Sequence, residues 1–177
     1  MKLVVLDRDG TINHDSDQYI KSPAEWRPIK GSLEAIARLT QAGWHVVVAT
    51  NQSGIARGMF DFATLNAIHQ AMHAAVVQAG GRIDAIFFCP HAADAGCECR
   101  KPKPGLLLEI ARRMNVDLAD VPAVGDSLRD LQAAATAGAR PMLVLTGKGK
   151  MTRDAGGMPK GTRVFADLAA VAAQLAP

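Results

Sequence analysis

At 177 residues, 49% hydrophobic and 21% charged, the chain has the length and composition of one globular domain with a buried core, which excludes an intrinsically disordered chain. The formal charge of +3 is mild and the Lys and Arg residues are scattered, so a nucleic-acid surface gets no support and a small anionic ligand suits the balance. The apolar run after Met1-Lys2 is too short for a signal-peptide core or a membrane span, which predicts a cytoplasmic protein with no membrane partner.

Leu3–Leu6 reads as a first strand and stops at Asp7-Arg8-Asp9-Gly10-Thr11. Ser32 is placed to cap a helix through Thr40, ended by Ala42-Gly43. Val46–Ala49 is a second strand running into Thr50, and Asp61 caps a longer helix that ends at Gly80-Gly81. Ile83–Phe88 is a third strand, and Pro104 opens a helix through Met114. Val121–Val124 is a fourth strand, followed by Ser127 as the cap of a helix ending near Gly138, and Met142–Leu145 is a fifth. The stretch from Gly147 to Gly161 reads as a mobile loop with solvated Lys148 and Lys150. Strands alternating with helices predict an α/β fold: a Rossmann-like parallel sheet with helices on both faces, formed by residues 1–177 as a single domain. Ligands in that architecture bind beyond the carboxyl ends of the strands.

Asp7, Thr50 and Asp126 end the first, second and fourth strands, so all three converge at one sheet edge. Asp7 and Asp9 can face the same pocket, where their mutual repulsion calls for a hard divalent cation. Magnesium fits, because it takes oxygen ligands and keeps waters that a phosphate can displace. Asp126, with Ser127 and Asp130 beyond it, offers further oxygens, and Gly10 permits the tight chain exit a backbone carbonyl ligand needs. Phosphoryl transfer asks mainly for positioning and charge stabilisation. Asp7 can act as nucleophile and form an aspartyl-phosphate, while Asp9 serves as the acid and base. Thr50, the Asn51 side chain and amides around Ser53-Gly54 can donate to the phosphoryl oxygens. Lys101, rigidly followed by Pro102, supplies a cation.

Asp7-Arg8-Asp9-Gly10-Thr11, Thr50-Asn51-Gln52, Lys101-Pro102 and Gly125-Asp126 resemble the four ordered motifs of the haloacid dehalogenase superfamily. The resemblance implies a magnesium-dependent phosphatase with Asp7 as nucleophile and Asp9 as acid/base. It implies magnesium ligation by Asp7, the Asp9 backbone carbonyl and Asp126, with Thr50 and Lys101 on the transferring group. The intervals 8–49 and 51–100 are consumed by core elements, which leaves no length for a cap domain.

All three cysteines fall within residues 89–99: Cys89, Cys97 and Cys99, joined by His91. Three thiolates and one imidazole match a closed, structural zinc site that would shape the loop leading into Arg100 and Lys101. His69 and His73 share a helix face without a carboxylate partner, so they read as solvated or half-packed.

With no cap, selectivity falls to short loops: His14–Tyr19, including Asp15, Gln18 and Tyr19; Ser53–Gly58, including Arg57; and the cysteine loop with Arg100. Asn51, Gln52 and Ser53 join these as candidate substrate contacts. The stretch Thr50–Gly58 resembles a sugar-bisphosphate branch of the superfamily, whereas the short cysteine loop resembles a histidinol-phosphate branch. Arg57 and Arg100 favour a small phosphorylated sugar with a second phosphate, through forked hydrogen bonds. A non-catalytic, zinc-stabilised phosphoacceptor or binding module is the competing class, and Asp9 is the residue that argues against it. No apolar dimer surface is legible, which predicts a monomer.

Overall fold

A computed structural model describes residues 1–177. In chain order the elements are β1 (Leu3–Leu6), α1 (Ser32–Gln41), β2 (His45–Asn51), α2 (Phe62–Gln78), β3 (Ala85–Cys89), α3 (Gly105–Met114), β4 (Pro122–Gly125), α4 (Leu128–Ala137), β5 (Arg140–Val144), α5 (Gly149–Ala155), β6 (Arg163–Phe165) and α6 (Leu168–Leu175). All six strands lie in one parallel sheet, ordered β3-β2-β1-β4-β5-β6. The chain order reverses between β1 and β4, and such a switch point opens a crevice at the carboxyl ends of the strands.

Alternation along the strands divides the core. Val4 and Leu6 of β1, with Val46 and Val48 of β2, point to one face and pack with Ile36, Leu39, Ile68, Met72 and Val171 from α1, α2 and α6. Leu3, Val5, Val47 and Ala49 point to the other face and pack with Leu106, Leu107, Ile110 and Ala134 from α3 and α4. A parallel sheet covered on both faces needs this near-continuous apolar reading in its central strands. No helix is long and apolar enough to cross a membrane.

The helix starts follow from local chemistry. Asp61 accepts the Thr64 amide, and Ser127 forms a reciprocal capping box with Asp130. Ser32, expected as a cap, is instead the first residue of α1. The cap position is Gly31 in the left-handed region (φ 84°), and the Ser32 hydroxyl donates to the Ile12 carbonyl at 2.6 Å. The stretch from Gly147 to Gly161, expected as a mobile loop, contains α5, and Thr152 in that helix donates to the Asp126 carbonyl. Two elements had no reading in the sequence. β6 has only three residues at the sheet edge, and α6 is rich in alanine and capped by Asp167.

Ile36 is fully buried where α1 meets the sheet, whereas Val77 on α2 is 64% exposed. Ile36→Ala should therefore lower unfolding free energy by about 2–5 kcal/mol, and Val77→Ala by less than about 0.5 kcal/mol. Urea denaturation of both variants checks the difference.

Candidate active site

The first strand delivers Asp7 to the switch point, where its amide donates to the Val124 carbonyl at 2.8 Å and ties the β1 exit to β4. Lys101 enters from the segment before α3 and is almost wholly buried. Its ammonium donates to Asp7 Oδ1 at 2.9 Å and to the Ala49 carbonyl at 2.8 Å, and it pairs with Asp130 Oδ1 at 2.7 Å. Asn51 and Lys101 exchange two 3.0 Å bonds, side-chain amide to backbone. Asn51, expected to donate to a phosphoryl group, lines the cavity and also donates one amide hydrogen to the Lys101 carbonyl, seating that residue.

Asp126 closes the other side. Its Oδ2 accepts the Lys148 amide at 2.8 Å. Gly10 (φ 83°) and Gly147 (φ 52°) meet against it, and a Cβ on either would collide with the Asp126 carboxylate. The Thr146 hydroxyl ties the two loops together by donating to the Gly10 carbonyl at 2.7 Å.

Acidic oxygens of Asp7, Asp126 and Asp130 lie within 4.8 Å of one another, against a single ammonium. Burial and the Asp130 charge push the Asp7 carboxyl well above the usual carboxylate range, despite Lys101. Burial, again with Asp130, pushes Asp126 up to about 7. Burial also opposes ionisation of Asp130, but Lys101 and the Ser127 donors outweigh it and hold its pKa below the ordinary value. The cluster is short of positive charge, and a hard dication would supply it. The donor set fits magnesium.

Asp9 sits 21% exposed beside this cluster. Arg8 Nε reaches its Oδ1 at 3.0 Å and Arg8 Nη2 its Oδ2 at 3.2 Å. Asn13 donates to Oδ1 at 2.9 Å and Gln52 to Oδ2 at 3.0 Å; Gln52 also donates to the Thr50 hydroxyl at 2.9 Å. His69, expected to be solvated or half-packed, is buried, with Nε2 3.2 Å from Arg8 Nη1.

These groups line a polar cavity of about 330 Å³. Asp7, Asp9, Thr50, Gln52, Lys101 and Asp126 are on its wall. Asp15, Tyr19, Ser53, Arg57 and Arg100 reach it from the expected loops. Gln18 does not line it; the Gln18 carbonyl accepts Lys21 instead. Arg129 and Lys148 line the rim and were not among the expected contacts. Lys148 pairs with Asp15, also on the wall, at 3.3 Å. Arg129 follows two residues after the capping Ser127, a spacing that could have placed it at the pocket.

Beside the cavity, Cys89 at the end of β3 gathers the four expected soft donors. Cys89 Sγ lies 3.1 Å from Cys99 Sγ and 3.7 Å from Cys97 Sγ, and His91 Nδ1 lies 3.3 Å from Cys99 Sγ and 3.4 Å from Cys89 Sγ. Donors around a tetrahedral zinc stand roughly 3.3–3.8 Å apart, given bonds of about 2.0–2.3 Å; three of these separations fall in that range and the Cys89–Cys99 pair is shorter. The sulfurs are not disulfide-bonded. The set fits zinc, and Cys99 is followed directly by Arg100 and Lys101.

A family model described as HAD-hyrolase-like matches residues 98–171, which include Lys101 and Asp126. The chain is 67% identical over 175 residues to D-glycero-beta-D-manno-heptose-1,7-bisphosphate 7-phosphatase of Bordetella bronchiseptica, covering 99% of this chain and 98% of that one. It is 55% identical to the enzyme of that name from Pseudomonas putida, covering 99% of each. A crystal structure of the Bordetella bronchiseptica D,D-heptose 1,7-bisphosphate phosphatase complexed with magnesium and phosphate superposes with a TM-score of 0.98, at 67% identity and with 99% and 98% coverage. The Burkholderia thailandensis enzyme superposes at 0.80 with 57% identity, covering 98% of this chain and 97% of that one.

The raised Asp126 pKa has a signed consequence for the metal-free protein. A carboxyl that ionises near 4 when unfolded but near 7 when folded lowers stability as pH rises through that window. His69 opposes it: burial and the Arg8 charge lower its pKa to about 4, so it adds stability as pH rises from about 4 to 6.5. The comparison with Asp126→Asn removes the first effect, together with the Asp126 charge that helps raise Asp7, and leaves His69 in place. Without metal, that variant should gain Tm relative to the parent between about pH 5 and pH 7.5, and magnesium should raise the parent's Tm more at the higher pH. Thermal melts with and without magnesium check both; parallel pH curves for parent and variant would contradict the expectation.

Proposed function

The chain belongs to the D-glycero-beta-D-manno-heptose-1,7-bisphosphate 7-phosphatase family of HAD-like hydrolases, and we propose how residues of its switch-point cavity remove the 7-phosphate from that sugar bisphosphate. The observation that carries the reading is the buried Lys101–Asp7 pair at 2.9 Å beside Asp126, with Asp9 on the same cavity wall. Asp7, the Asp9 backbone carbonyl and Asp126 would hold magnesium, and the ion would supply positive charge to the phosphoryl oxygens.

A carboxylate oxygen of Asp7 attacks phosphorus and forms a P–O bond as the bond to the 7-oxygen of the sugar breaks. Asp9 gives its proton to the departing alkoxide. Asp9 then takes a proton from water, whose oxygen attacks phosphorus; the bond to Asp7 breaks and phosphate leaves. Lys101 and the Thr50 hydroxyl steady the phosphoryl oxygens through both transfers. Asn51 and Asp130 act one step back, since both hold Lys101 in place.

The rim selects the substrate. Asp15, Tyr19, Ser53 and Gln52 suit sugar hydroxyls, while Arg57 and Arg100 suit the phosphate that is not cleaved. Zinc in the Cys89, His91, Cys97 and Cys99 site would set the segment that carries Arg100 and Lys101. We read residues 1–177 as one catalytic unit, working as a soluble cytoplasmic monomer on the path to lipopolysaccharide heptose.

The short cysteine loop keeps histidinol phosphate as a second substrate to measure. The bisphosphate should be turned over with the higher kcat/KM. Arg100→Ala should lower kcat/KM for the bisphosphate about 10-fold or more, and for a simple phosphomonoester less than about 3-fold, because only the former presents a distant phosphate. Steady-state kinetics on the three substrates check this; equal losses would remove Arg100 from recognition.

A further inference from the structure

The geometry points to His69 as a positioning residue for proton transfer: it braces the buried Arg8 guanidinium, which in turn grips Asp9. The inference rests on the reading of Asp9 as acid and base. Arg8 is wholly buried although it stands between two site aspartates. Its Nε and Nη2 fork onto Asp9, and its Nη1 lies 3.2 Å from His69 Nε2, 61 residues distant in sequence.

Arginine has only donors. The ring nitrogen it faces must therefore present a lone pair, so His69 is the neutral imidazole with its proton on Nδ1. Burial and the Arg8 charge, which lower the His69 pKa to about 4, keep it in that acceptor form at neutral pH. Its ring lies 6.4 Å from that of Phe88, inclined at 58°, so the acceptor sits against β3 of the sheet.

Asp9 has a short side chain, and its other partners, Asn13 and Gln52, each hold one oxygen by a single bond. The Arg8 fork is the contact that orients the carboxyl plane. Without an acceptor at position 69, the buried Nη1 has no partner and the guanidinium re-seats to find one, loosening the fork. Proton transfer is sensitive to such displacements because donor and acceptor must meet within hydrogen-bond reach.

A glutamine at 69 can extend its amide oxygen toward the place of Nε2, whereas an asparagine is too short. The discriminating readout is the leaving group. The heptose alkoxide needs a proton as it departs; the phenolate of p-nitrophenyl phosphate does not. Using kcat/KM confines the comparison to steps through alcohol release.

His69→Asn should lower kcat/KM for heptose 1,7-bisphosphate about 10–100-fold and for p-nitrophenyl phosphate less than about 3-fold. His69→Gln should bring the ratio of the two back to within about 3-fold of the parent. Asp9→Asn, measured beside them, should show the same selectivity more strongly. Thermal melts establish that each variant is folded; if His69→Asn is not, Arg8→Lys keeps the buried charge, removes the fork and should be selective in the same way. Equal losses on both substrates for a folded His69→Asn or its Arg8→Lys substitute, with Asp9→Asn still selective, would overturn the positioning role alone. His69→Gln behaving like His69→Asn would do the same. An unselective Asp9→Asn would instead overturn the acid/base reading, and this inference with it.

Discussion

A buried ammonium governs the site. Lys101 has 4% of its surface exposed, and its contacts are two carboxylates and a backbone carbonyl. A lysine so buried stays charged only because those partners outweigh its lost hydration, and its pKa is indeed raised, with burial opposed by Asp130 and Asp7. Removing one partner from such a pair costs about 3–5 kcal/mol, since it strands the other charge. Asp7, Asp130 and the Ala49 carbonyl of β2 are therefore held in register by one cation, whose backbone Asn51 seats. The same arithmetic leaves the cluster negative: three carboxylates, those of Asp126 and Asp130 buried and that of Asp7 nearly so, face one ammonium. A magnesium ion completes that balance, which couples metal binding to the protonation of Asp7 and Asp126.

Around this centre the fold divides the labour by sheet position. β1 and β4 flank the switch point and carry Asp7 and Asp126 to the same edge, and the two glycines between them let both loops crowd against the Asp126 carboxylate. β2 and β3 carry Thr50 and the first cysteine. The cysteine cluster then returns the chain through Arg100 into Lys101. The cavity wall mixes Asp15 and Asp17 with Arg57, Arg100, Arg129 and Lys148, while Asp7, Asp126 and Asp130 outnumber Lys101. A substrate with two phosphates meets both kinds of demand.

Much of this was legible in the sequence, because the central strands are apolar runs that end abruptly in polar residues. Asp7, Thr50 and Asp126 could be placed at one edge from those ends alone, and Ser127 and Asp61 cap their helices as their side chains suggest. Other features were hidden for physical reasons. α5 begins at a glycine in a glycine-rich stretch, where propensity argues for a loop, and tertiary bonds from Lys148 and Thr152 to Asp126 anchor it. Ser32 looked like a cap, but the left-handed Gly31 takes that place and frees the hydroxyl for Ile12. The Arg8–His69 contact joins residues from different elements. A histidine on a helix that also carries Asn66, Gln70 and His73 gives no sign that a buried guanidinium faces it.

The central claim is that phosphate passes through Asp7 rather than directly to water. Its most direct test is the stereochemical course at phosphorus, with a substrate whose transferred group is chiral thiophosphate and with hydrolysis in isotopically labelled water. Two successive in-line displacements, first by Asp7 and then by water, predict net retention of configuration. Inversion would mean a single attack by water and would contradict the account.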